Sequence, residues 1–305
     1  MIELSKDYER IYDNIIDHTG RYIQKHKLQS VVIGLSGGID STLTAALADA
    51  IAWDIDVHLR IIGVSIPSMT NHQAEIERAR KTGEAFCDEL HVMGKGFGTK
   101  RYTLDSILKA FTSRLKPYNK IFPIPIAIRN RSSRMQKVGR GNLKARIRMA
   151  ILYDIAHHRS GMVLSTDNYT EYLLGFWTLH GDVGDFGMFQ NLFKTEVYGL
   201  AKYVSTRLVK KGWKNKKLPL QIEALREAAS AIPTDGLGLG SDMDQIGASN
   251  YYQVDKVLLK HLNDVPIVSP YIAERMTADR IIKRHKSTNY KRHNPYNIPR
   301  EGLLK

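Results

Sequence analysis

Apolar positions along the chain alternate between two spacings. Short continuous runs occur at 31–35 (Val31, Val32, Ile33, Leu35), 58–65 (Leu59, Ile61, Ile62, Val64), 90–93 and 161–165 (Met162, Val163, Leu164). Runs of this length, flanked by glycine and polar residues, predict buried strands. Between and after them the spacing is helical. Residues 5–27 carry Tyr8, Ile11, Ile15, Ile16, Tyr22 and Ile23, and residues 142–158 carry Ala145, Met149, Leu152, Tyr153 and Ala156. Further helices are predicted at 40–53, 71–87, 103–115, 170–176, 194–208, 220–230, 251–261 and 270–286. Alternation of this kind predicts an α/β fold, a doubly wound parallel sheet with helices on both faces, with ligands at the carboxyl ends of the strands.

Residues 94–98 hold three glycines at a spacing that fits no nucleotide loop, and read as a connection. Residues 116–141 are rich in Pro, Arg and Ser with little periodicity. They read as a mobile segment, either a loop that orders over a substrate or plain disordered chain. Residues 180–185 and the basic stretch 210–217 read as turns. There is no internal repeat and no low-complexity stretch, so the 305 residues are read as one large domain.

Composition narrows the class. A hydrophobic content of 43% suits a globular core. No apolar run reaches the roughly 18 residues needed to span a bilayer, and the N-terminus lacks the basic-then-apolar order of a signal peptide. Cys87 is the only cysteine, which excludes an intramolecular disulfide and any CxxC site. A cytoplasmic protein without membrane contact is expected. The net charge of +14 fits phosphorylated small molecules as well as nucleic acid. No nucleic-acid-binding motif is visible, and the basic residues gather at 129–148, 210–217 and 280–292 rather than in one tail, so nucleic acid is the less favoured partner.

One string carries chemistry. Gly34, Leu35, Ser36, Gly37, Gly38, Ile39, Asp40 and Ser41 follow the first predicted strand and open the next helix. Adjacent glycines let backbone N–H groups converge on an anion, Ser36 and Ser41 add hydroxyls, and the helix dipole adds partial positive charge. Asp40 would repel a bound phosphate unless a cation lay between them, which marks it as a Mg²⁺ ligand. The plainer reading is a tight strand-to-helix turn with Asp40 as N-cap.

The string resembles the loop of the ATP pyrophosphatases, which cleave ATP between its α and β phosphates. No Gly-Lys-Ser/Thr follows, so it is not a Walker A loop. Further segments narrow the likeness: 141–149 (Gly-Asn-Leu-Lys-Ala-Arg-Ile-Arg-Met), 165–171 (Ser-Thr-Asp-Asn-Tyr-Thr-Glu), 181–185 (Gly-Asp-Val-Gly-Asp), Lys194-Thr195-Glu196-Val197, Pro233-Thr234-Asp235, 241–247 and His285-Lys286. Together and in this order they resemble ammonia-dependent NAD synthetase, from about Tyr8 to His285. That resemblance implies the adenine nucleotide alpha hydrolase-like fold. It also implies a ligase that adenylates the nicotinate carboxylate of deamido-NAD with ATP, releases pyrophosphate, and amidates the adduct with ammonia to give NAD and AMP. A homodimer is implied. With the loop beginning at Gly34 there is no room for an N-terminal glutaminase domain, so free ammonia or a separate ammonia source is expected.

The resemblance also assigns roles. Asp40 and Glu171 hold Mg²⁺ on the triphosphate. Lys194 contacts the ATP phosphates, and residues 34–41, Thr166 and Thr234 complete the ATP site. Arg146, Asp185, His285 and Lys286 take deamido-NAD. Arg148, two residues beyond Arg146, leaves the helix roughly 200° away, so the two cannot face the same site. Asp182 falls near the pyridine end, where a carboxylate would steer ammonium and accept its proton. Ser65 stands where members carry an arginine of the adenine pocket, and Leu179 where some carry a lysine. Two other readings are an adenylating enzyme acting on tRNA and a non-catalytic nucleotide-binding protein.

Overall fold

A computed structural model describes residues 1–54, 58–94, 103–115, 133–211, 216–233 and 241–294. Elements are numbered in chain order among these residues. They are α1 (Tyr8–His26), β1 (Ser30–Gly34), α2 (Ile39–Asp54), β2 (Arg60–Ser65), α3 (Gln73–Phe86), β3 (Glu89–Val92), α4 (Leu104–Leu115) and α5 (Ser133–His158). There follow β4 (Gly161–Ser165), α6 (Tyr169–Leu174), β5 (Phe186–Gly187), α7 (Lys194–Lys211), α8 (Leu218–Ser230), α9 (Asp242–Ile246), α10 (Tyr251–Leu262), α11 (Ile272–Ser287) and α12 (Asn289–Arg292).

The five strands form one parallel sheet in the order β3-β2-β1-β4-β5. Because a strand turns successive side chains to opposite faces, β1 feeds two cores. Val31 and Ile33 pack with Leu43, Leu47 and Leu200 on the face covered by α1, α2, α3, α7 and α8. Val32 packs with Leu104, Ile147 and Leu152 on the face covered by α4 and α5. Burial on both faces is why these strands read as unbroken apolar runs. A third cluster, with Leu174, Ile246, Val254, Leu258 and Ile281, joins α6, α9, α10 and α11 beside the sheet.

Three features depart from the periodicity. The fifth helix begins at Ser133, not at 142, so the end of the segment expected to be mobile is helical. Gly139 and Gly141, the charged neighbours and the missing apolar stripe hid that start. The rest of that segment, 116–132, lies outside the described residues. The two-residue strand β5 falls just past the turn read at 180–185 and is too short to show a period. The short helix α9 rests on its Ser241–Asp244 capping box rather than on an apolar stripe.

The chain runs β1-β2-β3 outward on one side and then returns to add β4 on the other side of β1. This reversal leaves a crevice at the carboxyl ends of β1 and β4, the topological switch point where such folds take ligands. The segments 34–41 and 166–170 flank it.

Candidate active site

The loop after β1 is held in shape by its own polar groups. Leu35 continues the sheet by donating its N–H to the Val64 carbonyl at 2.8 Å. The Gly38 N–H donates to Ser36 Oγ at 3.2 Å, and Ser41 Oγ donates to the Gly38 carbonyl at 3.1 Å. Gly37 has φ of +81°, and a Cβ there would lie 2.2 Å from the Glu75 carbonyl oxygen of α3. Only glycine fits a position that is both left-handed and pressed on another backbone. Leu35 and Ile39 anchor the loop in the core. Buried Ser41 is turned into the loop and is not among the residues lining the cavity.

Three charges meet at the start of α2. The ammonium of Lys194, the first residue of α7, donates to Asp40 Oδ2 and, at 2.9 Å, to Glu171 Oε1 of α6. Lys194 is 3% exposed, whereas Asp40 and Glu171 keep 16% and 18%. Burial alone would lower the lysine pKa; the two carboxylates more than reverse this, so it lies above the ordinary lysine value. Burial raises Glu171 above the usual carboxylate range, Lys194 pulls it back, and Asp40 and Asp242 push it up. Asn168 ties the two loops together. Its Nδ2 donates to Asp40 Oδ1 at 2.8 Å, while its Oδ1 accepts the Glu171 N–H at 3.0 Å and caps α6.

Lys194 is placed by a residue sequence reasoning missed. Asp255 of α10 is fully buried and accepts from the Thr195 N–H at 2.8 Å and from the hydroxyls of Thr170 and Thr195. Thr170 Oγ1 in turn accepts the Lys194 N–H at 2.8 Å. A carboxylate at the N-terminus of α7 satisfies donors the helix leaves open and offsets the lysine's unfavourable place in a first turn.

A cavity of about 610 Å³ runs from this loop along α3, α5 and α6. Its lining includes Gly34 to Asp40, Thr166, Glu171, Asp182 and Lys194. It also includes Arg78, Arg148, Asp167, Trp177, Asp242, Arg284 and Lys291, none of which was assigned a role from sequence. Asp167 is 8% exposed and accepts from Ser165 Oγ at 2.8 Å; burial pushes its carboxyl up to about 7, the hydrogen bond opposes this, and Asp182 and Asp40 add to it. Asp182 accepts the Thr178 N–H, and its carboxyl is raised, chiefly by burial.

Arg148 donates to the Ile66 carbonyl at 2.9 Å and Asn71 Oδ1 at 3.4 Å, and so fastens the segment after β2. Arg284 stacks over Phe176 at 3.7 Å, and Lys291 donates to the carbonyls of Gly175 and Trp177.

The other assigned residues among those described lie outside this lining. Arg146 is exposed and donates to the Leu179 carbonyl at 3.1 Å. Asp185 accepts from Tyr153 Oη and from the Val163 N–H of β4, both at 2.9 Å. His285 is hydrogen-bonded to the Leu173 carbonyl at 3.0 Å, and Lys286 is exposed. Thr234 lies outside the described residues. Of Arg146 and Arg148 on α5, the cavity takes Arg148 and the outer surface takes Arg146, the opposition expected of residues two apart.

Two carboxylates thus converge on one cation at a glycine loop, and comparison with known sequences gives the lineage. The profile of the NAD synthase family matches residues 11–295. The chain belongs to the NAD synthase family. It is 30% identical over 294 residues to an NH(3)-dependent NAD(+) synthetase of Thermoplasma acidophilum, covering 96% of this chain and 98% of that one. A second such enzyme, from Methanocaldococcus jannaschii, is 33% identical over 198 residues, or 64% of this chain and 66% of its own.

Among solved structures, the NMN synthetase of Francisella tularensis superposes with a TM-score of 0.70 at 21% identity, over 97% of this chain and 100% of that one. The NH3-dependent NAD synthetase of Campylobacter jejuni gives 0.64 at 24%, over 96% and 99%. These likenesses establish the NAD synthase fold.

Proposed function

We propose that this NAD synthase family member is an ammonia-dependent NAD synthetase. ATP and deamido-NAD enter the crevice, and a nicotinate carboxylate oxygen attacks the α-phosphorus. The α–β phosphoanhydride breaks, pyrophosphate leaves, and ammonia attacks the acyl carbon. Loss of a proton from nitrogen and departure of AMP leave the amide. The observation that carries the reading is the Lys194 ammonium bonded to both Asp40 and Glu171 at the mouth of the Gly34–Ser41 loop. The names of the aligned relatives favour the same activity, and neither the tRNA nor the non-catalytic reading has comparable support.

Each residue has a physical task. The loop opens α2, whose helix dipole is suited to the leaving phosphates. Lys194 supplies positive charge where negative charge grows on the leaving group. The Asp40 and Glu171 carboxylates fit Mg²⁺: both are oxygen donors, they converge on one cation, and Mg²⁺ commonly takes one or two carboxylates with substrate phosphates and water. Bound there, Mg²⁺ would offset the charge of the triphosphate. Asp182, buried in the cavity, is suited to hold ammonium and to accept its proton.

Arg146, Ala150 and Tyr153 share the exposed face of α5 next to Asp185. Outside the cavity, that face is suited to a second copy of the chain, which would complete the dinucleotide site with His285 and Lys286 as further contacts. We therefore infer a homodimer. No described helix is long and apolar enough to cross a membrane. A cytoplasmic enzyme using free or separately supplied ammonia fits this reading.

The test is product analysis with ATP, Mg²⁺, ammonium and deamido-NAD. NAD, AMP and pyrophosphate should form in equal amounts and only with all components present. AMP release without deamido-NAD dependence, or none at all, would overturn the assignment.

A further inference from the structure

Arg78 is a cavity cation that meets no carboxylate among the described residues. It sits on α3, and its Nε donates to the Gly37 carbonyl at 2.9 Å. That carbonyl is turned toward α3 by the left-handed backbone of Gly37, and the approach of α3 is close enough to forbid a side chain there. The guanidinium thus rests against the phosphate loop itself. One of its five N–H donors is used in this way. It makes no ion pair or other hydrogen bond among the described residues, although Glu75 lies one turn away on the same helix. Glu75 is occupied in capping α3, accepting from Asn71 Nδ2 and the His72 N–H.

The contrast with Lys194 is informative. Lys194 approaches the loop from the β4 side and is matched by two carboxylates. Arg78 approaches from the α3 side, half-buried and lining the same cavity, and is matched by none. A planar fork with free donors beside the glycine loop, at the cavity wall, is suited to bidentate contact with phosphate oxygens.

We propose that Arg78 is a phosphate-binding residue, taking the terminal phosphates of ATP and then the pyrophosphate product. The proposal rests on the reading that the Gly34–Ser41 loop holds the ATP phosphates. It makes α3 a functional wall of the site and gives one part of the chain's excess positive charge a specific use. Lys194 and its two carboxylates reach the loop from the β4 side, so Arg78, reaching it from α3, is suited to phosphate oxygens that Lys194 does not cover.

The test is calorimetric titration of the full chain with inorganic pyrophosphate, ATP and AMP. Arg78→Ala should weaken pyrophosphate and ATP by roughly tenfold or more, the loss of a charge-assisted contact. AMP, which lacks the terminal phosphates, should change less than about twofold on the same scale. Arg78→Lys keeps the charge but not the fork, and should fall between, with circular dichroism confirming that both variants fold. Equal weakening of ATP and AMP would mean that Arg78 only props the loop, and an unchanged pyrophosphate affinity would mean that it does not reach the ligand. Either result overturns the proposal. Failure of the unaltered protein to bind ATP or pyrophosphate would instead sink the ATP reading of the loop, and Arg78 with it.

Discussion

Replacing Lys194 with alanine separates two tasks that one ammonium performs. In the folded chain it is 3% exposed and bonded to two carboxylates that retain 16% and 18% exposure. Breaking a fully buried ion pair costs roughly 3–5 kcal/mol. Here both carboxylates still reach water, and Glu171, already raised, can take up a proton. The stability loss should therefore be nearer about 1–3 kcal/mol, within the roughly 5–15 kcal/mol that keeps a domain folded. The catalytic loss should be larger. Removing a preorganised charge from a developing anion costs about 3–4 kcal/mol, a fall in kcat of about a hundredfold or more.

The variant also leaves Asp40 and Glu171 facing each other without a counterion. Mg²⁺ should raise its melting temperature by more than it raises that of the unaltered protein, because one competitor for the carboxylates is gone. Pyrophosphate release under saturating substrates gives kcat, and a thermal-shift series with and without Mg²⁺ gives the second readout. A loss of turnover under about threefold would refute the electrostatic role, since it corresponds to less than about 0.7 kcal/mol. An unchanged or smaller Mg²⁺ response would refute the idea that lysine and metal share the carboxylates.

Three other substitutions probe separate parts of the site. Gly37→Ala puts a Cβ 2.2 Å from the Glu75 carbonyl in a left-handed residue; left-handed strain alone costs about 1–2 kcal/mol. Pyrophosphate binding by calorimetry should be lost even where circular dichroism shows a folded chain. Asp182→Asn should raise the ammonium concentration needed for half-maximal rate, and full turnover at both low and saturating ammonium would exclude the proposed ammonium role. Asp167 gives a pH signature. Its folded carboxyl titrates at about 7, above the unfolded value of about 3.9, so the folded state holds a proton that the unfolded chain has released. The associated stability is fully present below the unfolded pKa and is lost as pH rises through about 7. Melting temperatures between pH 5 and pH 8 should fall more steeply for the unaltered protein than for Asp167→Asn, and parallel slopes would exclude a buried titrating carboxyl.

What the sequence made legible follows from where the information lies. The strand cores at 31–35 and 161–165 were readable because burial on both faces leaves no polar residue to break the run. The loop was readable because its glycines, hydroxyls and carboxylate are contiguous. Asp255 was not readable as the support of Lys194. Its partners, Thr170 and Thr195, lie far away in sequence, and a lone aspartate in a helical run looks like any solvated charge. Arg78 was hidden in the same way: on an otherwise charged helix, only its contact with Gly37 distinguishes it from Arg80, which is satisfied by Glu77 and Glu84 along the helix face.

The placement of Asn168 shows why the residues of this centre depend on one another. One amide bonds Asp40 through its nitrogen and caps Glu171's helix through its oxygen. A carboxylate or a hydroxyl at 168 could not offer both a donor and an acceptor at that separation. The cap fixes where Glu171 starts, the amide nitrogen fixes where Asp40 points, and Asp255 fixes where Lys194 emerges. Three carboxylates and one lysine, drawn from four helices, are thus positioned by hydrogen bonds that serve helix ends first. Helix termini must be satisfied for the fold to form at all, so the charges of the cluster are set by the same bonds that stabilise α6 and α7, and their arrangement is a property of the folded chain itself.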